Sequence, residues 1–391
     1  MRIEYTDDQV ALRAELRAYF AELITPEVLD EVHELEGAGP LYHQALKQMG
    51  EDGWLGIGWP KAYGGQERSA VEQFIFGDEV QRHGFPIPLL TLSTVGPTLM
   101  AHGTQEQKDR YLPAILRGEV HFCIGYTEPQ AGTDLAALET RAVRDGDEYV
   151  VTGQKIFTSQ ADYADYIWTA VRTDPDAPKH KGISILIIPR EADGVSLTPI
   201  QTLGDNRVFA TYLEDVRVPM GNLVGAENGG WRLITSQLNH ERVSLFTVGL
   251  TEQLLEDVTA WAAATETPEG GRVLDRLWVR SNLARVHAGV ELLRLFNWRQ
   301  AWNIEHGALP PSEASAVKVY GSRFYIEANR LLMEVVGPTS TLQKDSAQAA
   351  LAGRVERFYR QTLVLTSGGG ANEVQRDIIA MAGLRMPRAR R

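Results

Sequence analysis

Apolar residues recur along the first third of the chain at mixed spacings of three and four. Over residues 10–23 they fall at Val10, Leu12, Leu16, Tyr19, Phe20 and Leu23, which is the spacing of one helix face. A second periodic run covers residues 41–49. A third begins at Ser69, a residue type that caps helices, with Glu72 three residues on to complete the cap. A fourth, over residues 105–117, ends at Gly118. Between them, residues 53–65 form a loop carrying Trp54, Trp59, Pro60 and Tyr63.

The period then changes. Residues 149–153, 166–172, 182–189 and 209–219 are rich in Val, Ile, Tyr and Thr. Turn residues separate them: Asp145-Gly146-Asp147, Asp174-Pro175-Asp176, Ala192-Asp193-Gly194 and Gly204-Asp205-Asn206. Several strands joined by short turns predict an antiparallel sheet or small barrel. Helical periodicity returns over 231–264, 276–306, 312–336, 347–367 and 372–382, with Pro310-Pro311 and Gly368-Gly369-Gly370 punctuating the last three. The fold class is therefore α+β. An N-terminal helical domain (1–120) precedes a central antiparallel β-domain (121–229) and a C-terminal helical bundle (230–391). No Gly-x-Gly-x-x-Gly unit joins a strand to a helix, which argues against a dinucleotide site of that kind.

Composition narrows the function classes. With 391 residues, 43% of them hydrophobic, the chain can build two or three cores. Its formal net charge is -12 and no Lys/Arg run interrupts it, so no nucleic-acid partner is expected. The short basic stretch 385–391 reads as a solvated end. A single cysteine, Cys123, excludes an internal disulfide and a cysteine-based zinc cluster, and no metal site is expected. The polar residues 1–9 do not form a signal peptide and no apolar run reaches about 18 residues. A cytoplasmic protein with no membrane span is the expectation.

Two segments carry candidate chemistry. Residues 126–134 read Tyr-Thr-Glu-Pro-Gln-Ala-Gly-Thr-Asp, and residues 153–159 read Gly-Gln-Lys-Ile-Phe-Thr-Ser. Pro129 and Gly132 impose a non-repetitive turn whose backbone N–H groups can face outward. Thr127 and Thr133 add hydroxyls suited to a polar ring edge or a phosphate oxygen. Taken singly, such a turn most often binds nothing. In this order, at the start of a β-domain, the two together point to a bound cofactor.

Both segments, and Asp215-Val-Arg-Val-Pro219 after them, resemble the acyl-CoA dehydrogenase family, and the resemblance covers essentially the whole chain. It implies FAD lying between the β-domain and the C-terminal bundle, with an acyl-CoA thioester beside it. Tyr126 would supply wall and backbone contacts, Thr127 would meet the pyrimidine edge, Thr133 would meet the pyrophosphate, and Gly132 would be a further cofactor-binding position in the turn. Phe157 would pack on the ring, where many relatives carry Trp; an aromatic in a strand is equally a core residue. Thr158 would hydrogen-bond near the hydride-accepting nitrogen.

Desaturation of an acyl-CoA requires a carboxylate for the α-proton, a hydride acceptor, and donors on the thioester oxygen. Many relatives place a Glu just before the final helix, where this chain has Gly369. A minority place it before an Arg in the first bundle helix, where this chain reads Leu238-Asn239-His240-Glu241-Arg242-Val243. Glu241 is thus the candidate base, with a solvated helix glutamate as the alternative. Neighbours on a helix point about 100° apart, so His240 cannot share that direction. The resemblance gives Gly369 a backbone N–H for the thioester oxygen.

Homotetrameric relatives complete each flavin site with an Arg-x-x-Phe-Gly element and a Gln-x-x-Gly-Gly element from a neighbouring subunit. Residues 262–274 contain no such first element, and the second reads Glu334-Val-Val-Gly337-Pro338. A carboxylate there removes amide donors and puts negative charge near a diphosphate, and Pro338 removes an N–H. This pattern resembles the base-bearing subunit of heteromeric (α2β2) bacterial dehydrogenases acting on steroid side-chain CoA esters. It implies a second acyl-CoA dehydrogenase-like subunit, with electron-transfer flavoprotein as electron acceptor. Two other readings stay open on the sequence: an oxygen-using oxidase or monooxygenase of the same fold, and a non-catalytic scaffolding subunit.

Overall fold

The computed structural model describes residues 4–35, 37–244, 246–307 and 310–387, without the side chains of 238–244. Six helices come first: α1 (Asp7–Leu23), α2 (Pro26–Leu35), α3 (Pro40–Glu51), α4 (Ala70–Arg82), α5 (Gly96–His102) and α6 (Gln105–Leu116). Local chemistry starts three of them. Thr6, Ser69 and Thr104 cap α1, α4 and α6, each with a reciprocal bond from the side chain three residues on. At α4 the Ser69 Oγ accepts the Glu72 N–H at 3.2 Å while Glu72 Oε2 accepts the Ser69 N–H at 2.9 Å. Helices α2 and α5 were not legible from periodicity; α5 is short and follows a π-helical turn at Thr91–Val95.

The strands are β1 (Phe122–Gly125), β2 (Arg141–Asp145), β3 (Glu148–Ser159), β4 (Tyr166–Arg172), β5 (Ile183–Pro189), β6 (Val195–Ile200), β7 (Val208–Pro219) and β8 (Leu223–Val224). They form one sheet in the order β6-β7-β3-β2-β4-β5-β8, with β1 paired to β4. Most pairings are antiparallel, while β1–β4 and β2–β4 are parallel. The sheet is not closed into the small barrel that was one expectation. Its ends are β6, which pairs with β7, and the two-residue β8, which pairs with β5. A strand that short offers too few backbone groups to carry a closing ladder. On β4, Trp168 and Ala170 join the core shared with the N-terminal helices, and Ile167 and Val171 join a second core with Tyr149 and Val216. Each fully buried Ile or Val contributes about 1.5–3 kcal/mol.

The C-terminal part consists of α7 (Gly230–Ser244), α8 (Gly249–Ala264), α9 (Leu277–Glu305), α10 (Pro311–Val336), α11 (Arg354–Thr362) and α12 (Asn372–Ile378). The single helix predicted over 231–264 is two. The joint between them is held by side chains from three other helices. Phe246 O accepts from Asn297 Nδ2 at 2.9 Å, Thr247 Oγ1 donates to Gln81 Oε1 at 2.7 Å, and Val248 N–H donates to Asp78 Oδ1 at 2.9 Å. Tyr325 Oη donates to Thr247 O. Gly249 is required here, since a Cβ would stand 1.9 Å from Asp78 O. The helix predicted over 347–367 is also shorter, because Leu351 and Ala352 take left-handed φ just before α11.

An ionic seam ties the two helical parts. Glu79 of α4 accepts from Arg13 at 2.6 Å and from Arg17 at 2.8 Å, and Glu252 of α8 meets Arg13, Arg82 and Arg294. Among the described residues no helix is long and apolar enough to cross a membrane.

Candidate active site

After β1 the chain leaves the sheet as a tight turn. Glu128 and Ala131 exchange backbone hydrogen bonds of 3.2 and 3.0 Å, with Pro129 and Gln130 at the corner. Gly132, Thr133 and Asp134 follow as an exposed bend.

Glu128 fixes this turn from inside. Its buried carboxylate accepts the N–H of Glu139 at 2.6 Å and of Thr140 at 2.9 Å, the Gln130 amide at 2.7 Å and Lys155 Nζ at 2.7 Å. Burial works to raise the pKa of that carboxyl, but Lys155 and the N–H donors outweigh it and hold Glu128 below the ordinary carboxylate value. Burial also pushes the Lys155 ammonium down to about 8 against the pull of Glu128. Neither residue stood out in the sequence reading. The available signal was one acid in the first segment and one base in the second, each in a turn-rich context.

The second segment lies against the first, because Ile156 N–H donates to Thr127 O at 2.9 Å. Here β3 bulges. Lys155 pairs with Thr211 and the next pairing joins Thr158 to Phe209, so Ile156 and Phe157 together face only Ala210. Phe157 sits at φ +58° and is 58% exposed. A large aromatic held open in a left-handed conformation is strained, and such strain persists where surrounding structure imposes it. Thr158 is turned inward, where its hydroxyl accepts from Thr211 Oγ1 at 3.0 Å. The exposed hydroxyl next to Phe157 is that of Ser159, which sequence reasoning passed over.

Tyr126 joins this cradle to the bundle. Its hydroxyl donates to Gln237 Oε1 on α7 and accepts from Trp168 Nε1 at 3.1 Å. The Gln237 Nε2 is buried without a partner among the described residues. Position 241 lies one helical turn beyond Gln237 along α7. The side chains of Glu241 and His240 lie outside the described residues. Gly369 sits in the turn between α11 and α12 at φ +69°, followed by Gly370 at +97°.

Thr127, Gly132, Thr133, Phe157 and Ser159 make up a candidate rim whose chemistry suits a planar heterocycle with a phosphate tail. It offers one aromatic face, three hydroxyls and an open bend in which a Cβ at Gly132 would come no closer than 4.0 Å to Thr127 Cγ2. At the opposite end of the bundle, Glu334 accepts from Asn282 Nδ2 at 3.0 Å and is paired with Arg330. Glu334 and Arg330 line a groove of about 360 Å³ with Met333, Gly337, Ser340 and Tyr359. Beyond α8, Arg272 is tied to Ala264 O at 2.8 Å and Arg276 to Glu269 at 2.5 Å.

Comparison with known proteins covers the whole chain. Residues 6–119, 123–216 and 228–384 match the N-terminal, middle and C-terminal domains of acyl-CoA dehydrogenase. Acyl-CoA dehydrogenase FadE26 of Mycobacterium tuberculosis is 54% identical, and acyl-CoA dehydrogenase FadE29 of the same organism is 48% identical, each over 100% of both chains. Among solved structures, a chain of the ChsE4-ChsE5 complex from Mycobacterium tuberculosis superposes with a TM-score of 0.93 at 54% identity, covering 100% of both chains. A chain of the Tcur3481-Tcur3483 steroid ACAD does so with a TM-score of 0.93 at 51% identity, again covering 100% of both.

Proposed function

The chain belongs to the acyl-CoA dehydrogenase family, a flavoprotein family, and from that premise we propose that it desaturates a bulky acyl-CoA, a steroid side-chain CoA ester, as one subunit of a heteromeric enzyme. FAD is the cofactor that fits the rim, and when bound it supplies the hydride acceptor. Thr127 and Ser159 would meet the ring edge, Phe157 its face, and Gly132 and Thr133 the pyrophosphate.

The observation that carries this reading is the Tyr126–Gln237 contact. It fixes the cradle against the helix on which Glu241 stands, one turn away. Glu241 takes the α-proton, and Gly369 N–H donates to the thioester oxygen as charge moves onto it. A groove of about 90 Å³ between α5 and α7, lined by Pro97, Thr98, Ala101, His102, Leu233 and Ser236, leaves room for part of the acyl group.

A second subunit is supported by the acidic, arginine-paired Glu334 corner and by the tied-back Arg272 and Arg276. In both places the guanidinium groups are engaged by carboxylates of the same chain. The two solved structures compared above are both named as pairs, and electron-transfer flavoprotein is the acceptor we assign.

The test is co-expression with a second family-type chain, followed by turnover of steroid side-chain CoA esters. Glu241→Gln in that assembly is expected to lower kcat by at least about a thousandfold with FAD retained. Undiminished turnover would make this a scaffolding subunit.

A further inference from the structure

Lys318, in the N-terminal third of α10, is completely buried. An interior ammonium is tolerated only where its N–H groups are engaged. Its Nζ donates to Thr366 O at 3.1 Å and to Asn372 Oδ1 at 2.9 Å. Those acceptors bracket the glycine run: Thr366 precedes Gly368 by two residues and Asn372 follows Gly370 by two. One turn along α10, Ser322 Oγ accepts from Asn372 Nδ2 at 3.0 Å, and Ser315 Oγ donates to Gln375 Oε1 at 2.8 Å. Helix α10 thereby holds both ends of a loop whose three central residues have no side chains with which to pack.

We propose that Lys318 is a positioning residue for the reaction. It fixes the 368–370 loop so that Gly369 N–H meets the thioester oxygen, and its charge adds positive potential behind that donor. As the α-proton passes to the Glu241 carboxylate, the electron pair it leaves moves toward the thioester oxygen. A fixed cation in a dry interior favours that charge more than it favours the neutral thioester. This rests on the assignment of Glu241 and Gly369 made above.

The probe is an acyl-CoA with sulfur in place of its β-carbon, which yields its α-proton but no hydride. Bound to the FAD-loaded assembly, its deprotonation is read from the long-wavelength band of the enolate beside oxidised flavin, across pH. The unsubstituted assembly should show the band and Glu241→Gln should not; failure of that contrast refutes the underlying assignment alone. With the contrast in place, Lys318→Gln keeps a donor and loses the charge. It is expected to raise the apparent pKa of the bound probe by about one unit, a tenfold weaker deprotonation, and to lower kcat about tenfold with KM within about twofold. Lys318→Met should do more and also speed amide exchange over residues 366–372. An unshifted probe pKa in both variants overturns the role of Lys318. Should neither variant fold, Asn372→Ala releases one end of the loop; unchanged exchange at 366–372 and unchanged kcat there overturn the proposal equally.

Discussion

Lys155 Nζ lies 2.7 Å from Glu128 Oε1 with both side chains sealed from solvent, and this contact joins two segments that are distant in the chain. Removing one partner leaves an uncompensated charge in the interior, a loss of about 3–5 kcal/mol. Glu128→Gln is expected to lower the thermal midpoint and, in the assembled enzyme, the ratio of flavin to protein absorbance. Replacing both, as Lys155→Met with Glu128→Leu, should restore much of the stability. The flavin ratio should stay low, because the N–H groups of Glu139 and Thr140 lose the acceptor that shapes the turn. A Glu128→Gln protein with unaltered melting and flavin content would refute this.

Phe157 gives the opposite pattern. Its left-handed φ is strain of about 1–3 kcal/mol that glycine would not bear, offset by the entropy glycine loses on folding. Phe157→Gly should therefore leave the FAD-free chain as stable as before, or up to about 1 kcal/mol more so. FAD retention should fall at least about tenfold through loss of the aromatic face. Denaturant titration and FAD titration measure the two effects separately.

The joint between α7 and α8 tests whether the base helix is held by its far end. Tyr325→Phe leaves Thr247 O without its buried donor, and Asn297→Leu does the same for Phe246 O. Each should cost about 1–3 kcal/mol and speed amide exchange at residues 246–249. Reduced kcat with little change in KM is the expected kinetic outcome. Exchange that rises everywhere equally would show a general loss of stability instead.

His121 sets an acid limit. Burial, then the neighbouring His43, lowers its pKa from the ordinary 6.5 to about 4. The folded state therefore disfavours the protonated ring. The stability difference is fully present above about pH 6.5, is lost as pH falls toward about 4, and amounts to about 3 kcal/mol at most. Half-buried His33 titrates in the same direction, so the comparison is between the native chain and His121→Gln. Between pH 7 and pH 4.5 the variant should lose less stability in denaturant titrations than the native chain does.

Local signals were legible where the responsible atoms are neighbours in the chain. Ser69 with Glu72 announced α4, and the stop at Gly118 closed α6, because a cap needs only four residues. Runs rich in Val, Ile, Tyr and Thr between turn residues announced β4 and β5. The break at 246–248 was not legible, since nothing within that stretch interrupts helical periodicity; the side chains that hold it come from positions 78, 81, 297 and 325. The same holds for Thr158. A resemblance in residue order cannot reveal the bulge, and the bulge decides which hydroxyl is open.

By itself, then, the sequence determined the three-part order, the two turn-rich segments and the family, because each rests on residue types at short spacings. Only the tertiary structure decided what those segments are fastened to: Glu128 to Lys155, Tyr126 to Gln237, and the glycine loop to Lys318. Buried charges and buried hydroxyls find partners wherever the fold brings them, and that meeting is a property of packing in three dimensions.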